Sequence, residues 1–130
     1  MTVERQKVVL IVEDEPTIRR LLRKTLEIAN YTVIEAADGV EALDVLDRPE
    51  QHVSAVLSDI TMPRMDGLVL ADRVRHAHPK MPVILTSGRH SRASIPRAVA
   101  EQIDGFLDKP YSKSSVLSVI AVATGRPHDT

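Results

Sequence analysis

Five residues that could do chemistry together stand at or just beyond the ends of short apolar segments; they are Glu13, Asp14, Asp59, Thr86 and Lys109. Three clustered carboxylates repel one another unless a cation neutralises them, and oxygen ligands without cysteine or histidine suit Mg²⁺ or Mn²⁺. A hydroxyl and an ammonium group facing that ion would form a pocket for a tetrahedral anion. An aspartate between the ion and the lysine would be placed to attack phosphorus and hold the acyl phosphate.

The elements that must position these residues alternate along the chain between β-branched apolar runs and segments with helical spacing. We predict strands over residues 8–12, 31–36, 53–58, 81–86 and 103–107 and helices over 16–29, 40–46, 67–77 and 112–123. The alternation predicts an α/β fold, a doubly wound five-stranded parallel sheet with helices on both faces. Functional groups in such sheets gather at the carboxyl ends of the strands, where all five residues would lie.

Residues 89–102 are the least regular part of this pattern. Pro96 argues against a regular helix through the segment but allows a helix to begin near it. A helix within residues 89–102, between the fourth and fifth strands, is therefore expected to be short, shifted or mobile.

Composition narrows the class of protein. The chain of 130 residues is 43% hydrophobic and 27% charged, as expected of one globular domain. A net charge of −1 gives no bulk attraction to nucleic acid or anionic membrane, and the absence of cysteine excludes disulfides and thiolate chemistry. Without a membrane-length apolar run or a signal-peptide core, we expect a single cytoplasmic domain over 1–130, with its core over about 7–123 and a polar tail over 124–130.

Each candidate residue also has a plain structural interpretation. Asp14, just before a proline, could cap a helix, which is a common role for aspartate. Asp59 could be a turn residue, a metal ligand or a nucleophile. Thr86 could be ordinary strand packing, and Lys109 could simply face solvent from a loop.

Four motifs in order favour the chemical interpretation: IVEDEP at 11–16, SDITMPRMDG at 58–67, VILTSG at 83–88 and FLDKP at 106–110. With these motifs the chain resembles the response-regulator receiver domain, the phosphoacceptor half of two-component signalling, over about residues 7–123. The resemblance implies a flavodoxin-like, chemotaxis-regulator-like topology with strand order 2-1-3-4-5. It also implies a phosphorylation-dependent switch, not an enzyme with other substrates, that catalyses only its own phosphorylation and dephosphorylation.

The resemblance assigns roles to the strand-end residues. Asp59 corresponds to the phosphoacceptor, and Lys109 to the lysine that pairs with the phosphoryl group. The implied Mg²⁺ (or Mn²⁺) ligands are Glu13, Asp14, Asp59 and the backbone carbonyl of Thr61.

Three further positions carry expectations from the same resemblance. Thr86 corresponds to the switch hydroxyl, and Phe106 to the switch aromatic that turns inward when Thr86 moves. Pro110 matches a proline whose preceding peptide bond is commonly cis in the family. The implied partner is a histidine kinase or histidine phosphotransfer protein, with no direct nucleic-acid or membrane binding.

Other functions remain to be weighed. A phosphatase with an aspartyl-phosphate intermediate generally needs an aspartate two residues after its nucleophile, where Thr61 stands. A nucleotide- or flavin-binding domain would need a glycine-rich turn after the first strand, which is missing. A degenerate receiver acting only as an interaction module is disfavoured by the intact acids, Thr86 and Lys109.

The end of the chain raises two further expectations. No DNA-binding region follows residue 123, so we expect the chain to carry no output domain. The start at Met1 and the short polar tail favour a freestanding receiver modestly over one excised from a larger regulator or hybrid kinase. Val119 and Val122 lie beside the inward stripe of the last helix and suggest a homodimer contact, although ordinary surface valines are an equal alternative.

Overall fold

The structure, a computed structural model, describes residues 6–89 and 92–125. Its centre is a five-stranded, fully parallel sheet with the strand order β2-β1-β3-β4-β5. The strands are β1 (Val8–Val12), β2 (Thr32–Ala36), β3 (Ala55–Asp59), β4 (Val83–Ser87) and β5 (Gly105–Asp108). The predicted fold class and strand order are therefore confirmed.

The described residues form four longer α-helices and one short one, of which the last follows β5 and the others connect strands: α1 (Pro16–Ile28), α2 (Gly39–Leu46), α3 (Gly67–Ala77), α4 (Arg97–Ala100) and α5 (Lys113–Thr124). Side chains accept backbone N–H groups at the N-termini of α2, α3 and α5, where Asp38, Asp66 and Ser112 are the caps. These bonds satisfy donors that the first helical turn would leave unpaired. No helix within the described ranges is long and apolar enough to cross a membrane.

Alternating residues of β1 pack into two cores on opposite faces of the sheet. Leu10 and Val12 join the core beneath α2 and α3, whereas Val9 and Ile11 join the core beneath α1 and α5. All four side chains are fully buried. A parallel strand covered on both faces must be apolar at every position, which explains the unbroken run that the sequence shows.

Several strands begin later than predicted because nearby backbone groups have other partners. The N–H of Tyr31 donates to the Leu26 carbonyl and closes α1, so β2 starts at Thr32. Pro82 has no N–H to donate to a ladder, and β4 starts directly after it. The Asp104 carboxylate accepts the N–H of Val83, so a side chain takes a ladder position and β5 starts at Gly105, two residues later than predicted.

The connection from β4 to β5 is the least regular, as expected. A 3₁₀ turn (Arg92–Ser94) precedes α4, which has only four residues and begins directly after Pro96. Ile95 and Ile103, on either side of α4, are buried and anchor the connection to the core.

Candidate functional site

Three carboxylates meet at the carboxyl edge of the sheet. Glu13 and Asp14 follow β1, Asp59 ends the neighbouring β3, and one oxygen of each lies within 4.8 Å of the others. Glu13 and Asp59 are only 2% and 9% exposed, whereas Asp14 is open to solvent. The structure therefore brings the predicted acids together in a site that solutes can enter beside Asp14.

Lys109 closes one side of this acid cluster. Its Nζ lies 3.1 Å from Oδ2 of Asp59 and 3.4 Å from Oε1 of Glu13. The Lys109 N–H donates to the Ser87 carbonyl at 2.9 Å, which fixes its backbone beside β4. The peptide bond from Lys109 to Pro110 is cis, as the resemblance implied.

Each buried carboxylate is also held by the backbone. Oδ1 of Asp59 accepts the N–H of Ile60 at 2.9 Å, and Oε2 of Glu13 accepts the N–H of Glu15 at 3.1 Å. The cap of α1 is Glu15, whose carboxylate accepts the N–H of Thr17. The capping interpretation of Asp14 is therefore wrong, and the Asp14 carboxylate lies with the acid cluster instead.

Burial and neighbouring groups together raise two pKa values in the cluster. Burial raises the pKa of Glu13 above its ordinary value, because the Glu15 N–H bond and the charge of Lys109 only partly oppose it. Burial acts to lower the pKa of Lys109, but its hydrogen bond to Asp59 and the charges of Glu13 and Asp59 raise it. The lysine is consequently held as a cation against the carboxylates.

The loop after β3 folds tightly over its own strand end. The Gly67 N–H donates to the Ile60 carbonyl at 2.7 Å, and a Cβ on Gly67 would lie 2.3 Å from the Asp59 carbonyl oxygen. Only glycine fits such a close approach. Thr61 lies in this loop, two residues beyond Asp59, and is exposed.

Thr86 and Phe106 occupy the neighbouring strands. Thr86 is the ladder partner of Asp59 across β3 and β4, and it is 2% exposed. Phe106, on β5, pairs with Leu85 of β4. It is half-buried and packs against the core beneath α2 and α3. The structure thus places the two residues on adjacent strands, with Thr86 beside Asp59 of the acid cluster.

Two arginines near the site were not identified from the sequence. Arg19 on α1 donates to the Glu13 carbonyl at 2.8 Å. Arg64, in the loop after β3, has a φ of 66° and pairs with the nearly buried Asp38 at 2.6 Å. Nothing in a single sequence distinguishes these arginines from ordinary surface cations.

The residues present fit a hard divalent cation. Glu13, Asp14 and Asp59 offer only carboxylate oxygens, which Mg²⁺ prefers, and they are the one such group of three among residues 6–89 and 92–125. The cluster is also the chemical feature that the sheet topology predicts for this edge.

A doubly wound parallel sheet with an acidic cleft at the carboxyl ends of β1 and β3 defines a flavodoxin-like α/β protein with a cluster of three acids at this edge. The comparison of sequences narrows that class. The chain belongs to the response regulator receiver domain family, which its sequence matches over residues 9–121. It is therefore a receiver domain of two-component signalling.

Curated relatives include much longer proteins. The chain is 38% identical over 112 residues to the sensor kinase CckA of Brucella abortus, an alignment that covers 86% of this chain and 12% of the kinase. It is 33% identical over 112 residues to the response regulator MprA of Mycobacterium avium, covering 85% of this chain and 47% of the regulator. The chain thus spans less than half the length of either relative.

Solved structures agree with the family. The signal receiver domain of an HD domain-containing protein from Pseudomonas fluorescens Pf-5 has a TM-score of 0.84 and 29% identity, covering 96% of this chain and 91% of that chain. The response regulator protein TrrA from Thermotoga maritima, in complex with Mg²⁺-BeF, has a TM-score of 0.81 and 27% identity, covering 91% and 99%.

Proposed function

We propose that this chain is a signalling switch that accepts a phosphoryl group on Asp59. The observation that carries the proposal is the 3.1 Å contact between Asp59 and Lys109, in a cleft that also holds Glu13 and Asp14. A nucleophilic carboxylate, a cation for the phosphoryl oxygens and two further acids for a metal are the parts that this chemistry needs.

In the proposed step, a carboxylate oxygen of Asp59 attacks the phosphorus of a phosphohistidine on a partner protein. The phosphorus–nitrogen bond breaks, its electron pair returns to the imidazole, and an acyl phosphate forms on Asp59. Lys109 loses its carboxylate contact and pairs with a phosphoryl oxygen. Because positioning and charge neutralisation suffice, the chain catalyses only its own phosphorylation and dephosphorylation.

Glu13, Asp14, Asp59 and the backbone carbonyl of Thr61 would hold Mg²⁺, with Mn²⁺ as a substitute. The bound ion would supply positive charge that offsets the repulsion between the carboxylates and the incoming phosphoryl group. The three carboxylates within 4.8 Å of one another support this assignment.

The partner in this proposal is a histidine kinase or a histidine phosphotransfer protein, which the similarity to the sensor kinase CckA supports. The message would pass on by altered protein contacts, through movement of Thr86 and inward rotation of Phe106. The register of Thr86 opposite Asp59 supports the first of these roles. We further propose that residues 7–123 form one receiver domain and that its output is carried by a protein target.

Incubation with acetyl phosphate and Mg²⁺, followed by intact mass, tests the assignment. We expect the mass of one phosphoryl group to be added to the wild type, and no addition to Asp59→Asn or to the wild type with EDTA. Asp66→Asn is the matched control, because Asp66 caps α3 in the same loop and asparagine caps equally well. An unmodified wild type, or an adduct that persists in Asp59→Asn, would refute the proposal.

A further inference from the structure

Arg19 joins three separate elements next to the acid cluster. From α1 its Nη1 donates to the Glu13 backbone carbonyl at 2.8 Å, and its Nε donates to Oε1 of Glu35 at 3.1 Å. Glu35 lies on β2, opposite Ile11 of β1. The side chain of Arg19 is 22% exposed, so the guanidinium is mostly enclosed between α1, β2 and the corner that follows β1.

The bond from Arg19 holds the carbonyl oxygen of Glu13, for which no other donor is described. The N–H of Glu13 donates to the Ala36 carbonyl at 3.1 Å, and its carboxylate accepts the N–H of Glu15. These contacts fix the start of residue 13 and its side chain. The carbonyl, however, belongs to the planar peptide unit that leads into Asp14. Holding that oxygen therefore fixes the plane from which the Asp14 side chain projects.

Glu35 makes this bond directional. The guanidinium is a rigid planar fork, so an Nε fixed on one acceptor leaves Nη1 with one narrow range of directions. Arg23, on the next turn of α1, pairs with the other oxygen of Glu35, Oε2, and so leaves Oε1 to Arg19. A lysine at position 19 would retain the charge but could not bridge both acceptors with fixed geometry.

We propose that Arg19 is a positioning residue that sets the Mg²⁺ affinity of the acid pair by orienting the peptide between Glu13 and Asp14. The proposal rests on the Mg²⁺ site of the proposed function. Partners that orient metal ligands typically change metal affinity by about tenfold or more when they are removed.

Loss of the Arg19 charge and loss of its positioning role should change the Mg²⁺ affinity in opposite directions. A guanidinium close to the carboxylates repels a divalent cation, so removal of its charge alone should tighten Mg²⁺ binding. Loss of positioning should weaken Mg²⁺ binding instead. The sign of the change therefore identifies the role.

The experiment measures Mg²⁺ affinity by calorimetric titration, and Mn²⁺ affinity by electron paramagnetic resonance, on the full chain. We expect Arg19→Met and Arg19→Lys both to weaken binding by about tenfold. Arg23→Met is the matched control, because Arg23 lies on the same helix and pairs with Glu35 but donates to Glu27 rather than to Glu13. We expect it to stay within about twofold of the wild type.

Glu35→Gln is a milder variant that leaves Arg19 in place and should weaken binding in the same direction, which keeps the test valid if Arg19→Met unfolds. Tighter or unchanged binding in Arg19→Met and Arg19→Lys would overturn the positioning role. An equal loss in Arg23→Met would overturn it too, because the effect would then come from the stability of α1. A wild type that binds neither metal would instead contradict the proposed function itself.

Discussion

Where β1 and β3 end, the chain enters helices of 13 and 11 residues, whereas after β4 it enters a 3₁₀ turn and a helix of four residues. The first two helices begin at acidic side-chain caps, Glu15 and Asp66. The four-residue helix begins at Pro96, makes no side-chain cap and buries none of its residues. One edge of the sheet therefore has a well-anchored half, over β1 and β3, and a sparsely anchored half, over β4 and β5.

The difference matches what each half would have to do in the proposed function. Metal and phosphoryl groups need fixed oxygens, and Glu13, Asp14 and Asp59 all lie in the well-anchored half. A segment with few buried side chains opens at a lower free energy, which suits a part that repacks. Thr86 lies at the boundary, because it is paired with Asp59 of β3 but belongs to β4, one residue before that strand ends. Substitutions in each half should therefore change the free energy of unfolding by unequal amounts.

The largest difference in stability is expected between two glycine-to-alanine variants, one in each half of the sheet edge. In Gly67→Ala the new Cβ would lie 2.3 Å from the Asp59 carbonyl oxygen and 2.8 Å from Cα of Ile60, both backbone atoms. In Gly88→Ala the nearest atom would be Cβ of Lys109 at 3.7 Å, an ordinary contact. We expect Gly67→Ala to lower the free energy of unfolding by about 3 kcal/mol and Gly88→Ala by less than about 0.5 kcal/mol.

Urea unfolding of the two alanine variants measures this contrast, and phosphorylation by acetyl phosphate reports on the site. Gly67→Ala should also lose most of its phosphorylation rate, because the strand end that carries Asp59 must move. Similar stabilities for Gly67→Ala and Gly88→Ala would show that the loop after β3 is as adaptable as the one after β4.

A smaller effect is expected at Asp38, which caps α2 and is joined to the well-anchored half through Arg64 of the loop after β3. Its carboxylate accepts the N–H of Glu41 at 2.9 Å and pairs with Arg64. We expect Asp38→Ala to lower the free energy of unfolding by about 1–2 kcal/mol, since both cap and ion pair are lost. Asp38→Asn keeps the cap and should lose about 0.5 kcal/mol.

The Asp38 contribution should fall in acid. The backbone N–H of Glu41 lowers the pKa of Asp38 below its ordinary value of 3.8, with burial opposing and Arg64 assisting. Because the folded pKa is lower than the unfolded one, the stabilisation is complete above the unfolded pKa and is lost as pH falls through the folded pKa. Unfolding of the wild type and Asp38→Asn between pH 7 and about 2 should therefore show the two curves converging. A constant difference would contradict a stabilising role for the negative charge of Asp38.

The sequence was informative where one physical rule determines the structure. Covered parallel strands must be continuously apolar, and their carboxyl ends share one edge of the sheet, so the strands and the meeting of Glu13, Asp14 and Asp59 could be predicted. The strand order came from the resemblance to the receiver family and not from this rule. Strand starts could not, because the N–H of Tyr31 and the carboxylate of Asp104 form hydrogen bonds that depend on the completed fold.

The arginine contacts around the acid cluster could not be predicted from the sequence for a related reason. Arg19 and Arg23 lie on the same helix and look equivalent in the sequence, yet only Arg19 donates to the Glu13 carbonyl among the described contacts. The difference depends on where β2 places Glu35.

Val119 illustrates the same limit on α5. The sequence grouped it with Val122 as an apolar surface, but Val119 is half-buried and packs against Gly105 of β5, whereas Val122 is 80% exposed. The two valines therefore do different things. A homodimer through the last helix remains a prediction, and it now depends on Val122.

The smallest effects are expected from lysine at these two valines. A Cβ on Gly105 would lie 2.7 Å from Cγ2 of Val119, so the valine occupies space that the glycine leaves open. If α5, rather than α4, anchors β5, Val119→Lys should lower the free energy of unfolding by about 1 kcal/mol, and Val122→Lys should change it by less than about 0.5 kcal/mol. Urea unfolding measures the stabilities of the two variants. Equal stabilities would mean that the contact between Val119 and Gly105 does not hold the edge strand.

Sedimentation with and without an acyl-phosphate mimic tests association through Val122. Concentration-dependent association that Val122→Lys abolishes would support the dimer, and its absence in the wild type would exclude a dimer through this surface.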